Sequence, residues 1–214
     1  MRYLLIGVLV GLFAVTPGTL QAQDTAQLPT FKVGDNWTYQ RTNEYDIART
    51  GKFVVTVTSV SDSGFATATK VIEGAVEDEV GEYTAEMNAI KENDRKFTPH
   101  VPYFSFPLSP GKAWEGSYKF SVMGKKNKMQ TVDATMKSRV EGWETVTTPA
   151  GEFKALKIVF EVAHTQSHSG RGKERKGTRW YCPDVRRIVR NEISGEGGKS
   201  KGEVTELVSF SPAN

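Results

Sequence analysis

The 214-residue sequence is poor in the residue types that build disulfide frameworks and metal centres. It contains one cysteine, Cys182, and three histidines. A single cysteine excludes an internal disulfide and every zinc site that needs several cysteines. Cysteine is often buried in folded proteins, and Cys182 directly follows Trp180 and Tyr181. We therefore expect Cys182 in the core rather than as an intermolecular thiol.

The sequence also lacks a strong excess of charge of either sign. Lysine and arginine number 28 against 25 aspartates and glutamates, which gives a formal net charge of +3. Nucleic-acid-binding domains usually have a larger basic excess, so we expect no nucleic-acid partner. A hydrophobic content of 38% and an aromatic content of 10% argue against disorder. The length is typical of one domain.

A long apolar run occurs at the N-terminus, and no later segment approaches the length that spans a bilayer. Arg2 precedes Leu4–Val15, an uncharged run of 12 residues, and Pro17 follows it. This order is typical of a secretory signal peptide, here residues 1–22. The run is too short for a membrane-spanning helix, which needs about 20 residues. We expect an exported protein, periplasmic or extracellular, with one β-rich domain over residues 23–214.

Apolar and polar residues alternate with a period of two through much of the remaining sequence. One apolar and one polar face are typical of antiparallel strands packed on one side. The pattern is clearest at Phe53–Thr58, Tyr118–Met123, Val132–Glu141 and Leu156–Val162. Turn-forming clusters at Ser61–Gly64 and Pro149–Gly151 separate such runs. The sequence predicts an all-β antiparallel meander of about ten strands that forms a curved sheet or half-barrel.

Glu82–Glu92 is compatible with two structures. A strand would align Tyr83, Ala85 and Met87 on one face, and a helix would group Tyr83 with Met87 and Ile90. Alanine, glutamate and methionine favour a helix by propensity. Because strands are predicted on both sides, we expect a strand here.

A weak internal repeat predicts two similar halves, residues 31–97 and 108–211. Val33–Tyr39 and Pro110–Trp114 share a Gly-x-x-Trp pattern at the start of a predicted strand. Chance similarity within a β-rich composition is the alternative explanation.

Charged residues and histidines cluster without the spacing of a known site. On a strand, His164 and His168 would lie about 13 Å apart, too far to share a metal ion. The acids between Glu73 and Glu86 lack the spacing of a calcium loop. The basic segment 169–177 has the composition of a mobile hairpin loop. We expect no metal, no cofactor and no enzymatic activity, since hydrolase and nucleotide-binding motifs are also absent from the sequence.

The segment Thr98–Pro110 contains three aromatic residues and four prolines. Proline cannot donate a backbone hydrogen bond to a sheet, so we expect an extended crossing segment whose aromatics plug one end of the β structure. The alternative is that these aromatics form the rim of a site for an apolar ligand. Tyr103, Phe104 and Phe106 are therefore the candidate ligand-binding residues.

Four stretches of the sequence carry a family resemblance, and the turn Thr-Pro-Ala-Gly-x-Phe at residues 148–153 is its most specific part. The stretches are Phe104–Trp114, Gly142–Lys157, Trp180–Val185 and Glu206–Phe210. They resemble a family of exported bacterial proteins of unknown function that is grouped with TapB-like proteins. The resemblance spans roughly residues 31–211. It implies an antiparallel β-sheet protein of the cell envelope and brings no catalytic residue.

These features favour a non-enzymatic envelope module that binds an apolar or amphipathic ligand against its sheet. The alternative is a structural or interaction protein of the envelope, which would meet a partner protein through strand edges or the basic hairpin loop. An enzyme is disfavoured because no sequence context singles out a group of convergent polar residues.

Overall fold

Twelve antiparallel strands form a closed barrel in the part of the chain that the computed structural model describes, residues 25–44, 50–74, 78–123, 128–166, 172–194 and 201–213. Each strand pairs with its neighbours in sequence, and β1 pairs with β12 to close the sheet. The strands are β1 (Asn36–Asn43), β2 (Gly51–Ser61), β3 (Gly64–Gly74), β4 (Glu79–Thr84), β5 (Ala89–Glu92), β6 (Arg95–Val101), β7 (Ala113–Met123), β8 (Met129–Thr148), β9 (Gly151–Gln166), β10 (Gly172–Cys182), β11 (Arg187–Ser194) and β12 (Lys201–Ser211).

The predicted all-β antiparallel meander is confirmed, and its curvature continues to full closure. The two Gly-x-x-Trp segments run into the first two residues of β1 and β7, and their glycines, Gly34 and Gly111, have φ angles of 97° and 83°. The division into similar halves, residues 31–97 and 108–211, stays a prediction.

The alternation of buried and exposed side chains is most regular in β8 and β9, which have 20 and 16 residues. Val132, Ala134 and Met136 of β8 are buried, and Met136 lies opposite the buried Val162 of β9. The predicted turn between these strands is confirmed, with Gly151 in the left-handed region at a φ of 128°. These rows of inward side chains build one wall of the barrel interior.

The segment Glu82–Glu92 was predicted as one strand, and that prediction is wrong because a turn divides it between β4 and β5. Met87 in this turn is buried and has a φ of 66°. The Asn88 side-chain amide donates to the Phe104 carbonyl at 3.1 Å, and its oxygen accepts from the Phe104 N–H at 2.8 Å. These contacts with a distant part of the chain stabilise the turn. The alternation of apolar and polar residues within the segment does not indicate them.

The proline-rich segment closes one end of the barrel from the inside, as predicted, although its first four residues belong to β6. Leu108 exchanges two backbone hydrogen bonds with Ala26, at 2.7 and 2.8 Å, and both residues are buried. The Trp114 indole N–H donates to the Pro102 carbonyl at 2.9 Å. A Cβ on Gly116 would lie 2.9 Å from the Pro102 ring, so a glycine allows the segment to approach β7.

At the same end, Asp35 links the segment before β1 and the segment after β12 to the β10–β11 turn. Its buried carboxylate accepts hydrogen bonds from the backbone N–H groups of Lys32 and Ala213, each at 2.8 Å, and from the Arg186 guanidinium at 2.9 Å. Burial raises the pKa of the Asp35 carboxyl, but these donated hydrogen bonds outweigh burial and hold the pKa below its usual value.

The prediction of a hairpin loop over residues 169–177 is wrong for residues 172–177, which form the start of β10. They pair with β9 in a regular antiparallel register from Gly172 opposite Thr165 to Gly177 opposite Phe160. The prediction that Cys182 is buried is confirmed at 1% exposure.

Residues 1–22, predicted as a signal peptide, and His168 of the predicted histidine pair lie outside the described residues. Within the described ranges, none of the chain forms a helix of the length and apolarity needed to cross a membrane.

Candidate ligand-binding cavity

A cavity of about 540 Å³ lies inside the barrel, between the plugged end and the opposite strand ends. Every strand from β1 to β12 contributes side chains to its lining. In a strand, every second side chain points to the same face, and here that face is the barrel interior. Ten aromatic side chains form most of its apolar surface: Tyr39, Phe53, Phe65, Tyr83, Phe97, Tyr103, Phe104, Tyr118, Phe120 and Phe160. Many of these rings touch one another, as in the stacked pair Phe65–Tyr83 at 5.2 Å.

The lining also contains charged side chains, and cations outnumber anions among the described residues. The arginines are Arg41, Arg95, Arg175, Arg179 and Arg187, and the glutamates are Glu79, Glu92 and Glu203. Arg41 lies 3.7 Å from a Glu203 carboxylate oxygen and covers the Phe53 ring at 5.0 Å. The cavity therefore combines aromatic walls with a net positive charge.

Arg179 of β10 is the most deeply enclosed of these arginines whose burial is described, with 5% of its surface exposed. Its guanidinium lies over the Phe160 ring at 4.2 Å, and the Tyr103 ring follows at 5.0 Å. Burial lowers the pKa of Arg179 to about 10, against partial compensation from Tyr103 and Glu92. The side chain thus remains a cation at neutral pH in a mostly aromatic environment.

Tyrosine hydroxyls and one partly buried carboxyl share the interior with Arg179. The Tyr103 hydroxyl donates a hydrogen bond of 3.2 Å to Glu92, whose pKa is raised by burial. Burial also raises the pKa of Tyr83 and of Tyr118 to about 12 each. These hydroxyls are therefore neutral at physiological pH and can donate hydrogen bonds to a ligand.

The mouth of the cavity, formed by Arg95, Phe120, His164 and Arg175, lies opposite the plugged end. Arg95 and Arg175 lie at or near the first residues of their strands, and Phe120 and His164 lie near the last residues of theirs. The Phe120 ring contacts Arg95 at 5.1 Å and the His164 ring at 5.7 Å. Burial, Arg175 and Arg95 together lower the pKa of His164, so the imidazole is neutral at pH 7. Arg95 and Arg175 bring positive charge to this end, where Glu79 and Glu203 of the lining also lie at or near the first residues of their strands.

Of the three residues predicted to bind a ligand, the structure brings Tyr103 and Phe104 into the cavity lining. Phe106 lies behind them, where its ring contacts Phe104 at 5.6 Å and Tyr181 at 5.4 Å. Phe104 thus belongs both to the plugged end and to the cavity lining, and Phe106 packs only at the plugged end. That these residues bind a ligand stays a prediction. No described group of three or more histidines, cysteines, aspartates or glutamates has the arrangement of a metal site.

Sequence reasoning missed Arg179 and Glu92 as cavity residues. Arg179 has the same parity in β10 as Arg175 and Tyr181, but Trp180, of the opposite parity, is also buried, so the alternation did not assign Arg179 to the inner face.

A wider depression of about 1040 Å³ lies on the outer face over β7 to β11. Four of its charged side chains form two ion pairs: Lys137 lies 3.6 Å from Glu115, and Lys176 pairs with Glu161. It lacks the enclosed aromatic surface of the interior cavity, which we therefore regard as the candidate site.

Two solved structures show that this fold occurs in other bacterial proteins. A predicted lipoprotein of Parabacteroides distasonis aligns with a TM-score of 0.57 and 19% identity, over 88% of this chain and 100% of that chain. A predicted exported protein of Bacteroides fragilis with a YmcC-like fold aligns with a TM-score of 0.53 and 19% identity, over 87% and 99% of the two chains. No curated protein matches the sequence.

A protein family of unknown function matches most of the chain. The DUF3108-like family matches residues 76–205, which is more than half of the chain. The narrower grouping with TapB-like proteins stays a prediction. The protein belongs to the DUF3108-like family.

Proposed function

We propose that this protein is a non-enzymatic binding module that holds an apolar or amphipathic ligand inside its barrel. The observation that carries the proposal is the interior cavity of about 540 Å³ with its ten aromatic side chains. Ligand cavities in proteins measure roughly 300–1,000 Å³ and are mostly apolar with a few convergent polar groups. The cavity has this size, and its ten aromatic side chains share the lining with five arginines and three glutamates.

The plug and the mouth give the cavity one closed end and one end for entry. Leu108 and Phe104 are buried at the closed end, where they pack in one cluster with Ile158 and Tyr181. At the mouth, Phe120 offers a ring surface beside two arginines. An amphipathic molecule could therefore enter at the mouth and lie along the aromatic walls.

We further propose that the protein works in the cell envelope after export. The order of residues in segment 1–22 supports this proposal. So do the descriptions of the two structural relatives, one as a predicted lipoprotein and one as an exported protein.

A second candidate is an interaction protein that meets an envelope partner. The exposed Met123 and Met129 lie opposite each other at the end of β7 and the start of β8, and they favour such contacts. Strand edges offer less support, because barrel closure gives every strand two neighbours.

The proposed function can be tested by filling the cavity. Val162 lines it, and Ala163 is exposed on the opposite face of β9. We expect the apolar fluorophore N-phenyl-1-naphthylamine to bind the wild type saturably, the Ala163→Trp variant equally, and the Val162→Trp variant at least tenfold more weakly. Circular dichroism checks that both variants are folded. Equal binding by both variants, or no saturable binding by the wild type, would contradict the proposal.

A further inference from the structure

Arg179 is a buried cation that forms no ion pair among the described residues, although the Glu92 carboxyl lies near enough to act on its pKa. Its Nε has no hydrogen-bond partner, and it takes part in none of the ion pairs formed there. A buried guanidinium is normally paired with a carboxylate, because an unpaired charge is costly to remove from water. The structure therefore contains a charge that a bound anion would compensate.

The groups around Arg179 cannot fully replace such an anion. The rings of Phe160, Tyr103 and Phe104 lie 4.2, 5.0 and 5.9 Å from the guanidinium, and ring faces attract a cation but offer no conventional hydrogen-bond acceptor. The partly buried carboxyl in the same interior, Glu92, accepts a hydrogen bond from Tyr103, and burial raises its pKa. Glu92 forms no ion pair with Arg179, so the guanidinium has no carboxylate within contact distance among the described residues.

We infer that Arg179 binds the acidic headgroup of an amphipathic ligand whose apolar tail runs toward the mouth. This inference rests on the proposed function, since it identifies the chemical class of the ligand in the same cavity. The headgroup is a carboxylate or a phosphate monoester, because both accept the parallel N–H bonds of a guanidinium.

The direction of binding follows from the strands that line the cavity. Arg175 lies four residues before Arg179 on the same face of β10, which places Arg179 about 13 Å deeper. Phe97, Phe120 and Val162 form one apolar cluster on the mouth side of the interior. An alkyl tail would contact this cluster, and the net positive charge of the lining would attract the anion before it enters.

The test compares ligands that share one chain and differ in headgroup. Decanoate, decyl phosphate and decan-1-ol are titrated by calorimetry into the ligand-free full-length protein at pH 7.5. We expect the wild type to bind at least one of the anions tenfold or more tightly than decan-1-ol. Whichever anion binds more tightly identifies a fatty-acid-like or a phospholipid-like headgroup.

The variant Arg179→Met should lose this preference and keep the wild-type affinity for decan-1-ol, which also shows that the cavity is intact. The control Arg139→Met removes an exposed arginine and should keep the preference. A preference that persists in Arg179→Met would overturn the inference. Equal binding of anions and alcohol by the wild type would overturn it and leave the proposed function standing, whereas no binding of any of the three compounds would contradict both.

Discussion

Removal of the buried Arg179 charge should stabilise the ligand-free protein, although it removes three ring contacts. Burial lowers the pKa of Arg179 from 12.5 to about 10. Because one pKa unit corresponds to 1.36 kcal/mol, the buried charge costs roughly 3 kcal/mol of folding free energy. The cost persists at every pH at which the guanidinium is protonated.

Cation–π contacts with the surrounding rings offset part of this destabilisation. Three cation–π contacts at about 0.5–1 kcal/mol each give roughly 2 kcal/mol, and the rings involved lie within 5.9 Å of the guanidinium. Methionine has similar length and packs well against aromatic rings. We therefore expect Arg179→Met to raise the free energy of unfolding by about 1 kcal/mol, and the midpoint of thermal unfolding by roughly 2–4 °C.

The assay is urea and thermal unfolding of protein freed of bound molecules by unfolding and refolding. Arg139→Met, at an exposed position, is the matched control and should change stability by less than about 0.5 kcal/mol. A saturating concentration of an anionic amphiphile should make the wild type more stable than Arg179→Met, because the amphiphile stabilises only the wild type. A loss of 2 kcal/mol or more in ligand-free Arg179→Met would show that the charge is already compensated, and it would refute the reasoning.

Three further predictions concern the rest of the fold. Asp35→Asn should cost about 3 kcal/mol, because it removes the charge from a buried hydrogen-bonded carboxylate. Since the pKa of Asp35 is lowered on folding, its contribution is fully present above the ordinary value near 4 and is lost as the pH falls through the lower folded value. Between pH 6 and pH 2, the free energy of unfolding should therefore fall more steeply with pH for the wild type than for Asp35→Asn. Equal pH dependence of the two proteins would contradict this account. Gly116→Ala should cost about 1–2 kcal/mol by pushing the plug from β7, whereas Gly142→Ala, where an added Cβ meets nothing within 4 Å, should be nearly neutral in the same urea titration. The Cys182 thiol is buried and its pKa is raised by burial, so it should resist a thiol reagent in the native protein and react once per chain in denaturant; fast native labelling would show that the core opens.

Local pattern was sufficient to predict the strands with a regular period of two and the tight turns. β8, β9 and the Pro149–Gly151 turn follow directly from their residues. Closure could not be predicted in the same way, because the β1–β12 pairing joins opposite ends of the chain and neither strand contains a signal for its partner. The turn at Met87 depends likewise on Asn88 contacting a distant backbone.

No enclosed cavity was predicted from the sequence, although two of the candidate ligand-binding residues, Tyr103 and Phe104, line it. Arg179 lies in a segment rich in basic residues, so its charge did not distinguish it from its neighbours. In addition, β10 has apolar residues on both faces near its end. Trp180 and Tyr181 are both buried, and the register shifts between them. Alternation alone cannot identify the inner face of such a strand, so the buried cation becomes evident only when the barrel is assembled.

The most direct test of the central claim is native mass spectrometry of the protein purified from an exporting bacterial host without added lipid. We expect a species heavier than the polypeptide by one small amphipathic acid, which unfolding releases and which Val162→Trp fails to retain. A wild-type mass equal to that of the bare polypeptide, with no uptake of decanoate, decyl phosphate or decan-1-ol afterwards, would contradict the claim that the barrel holds a ligand.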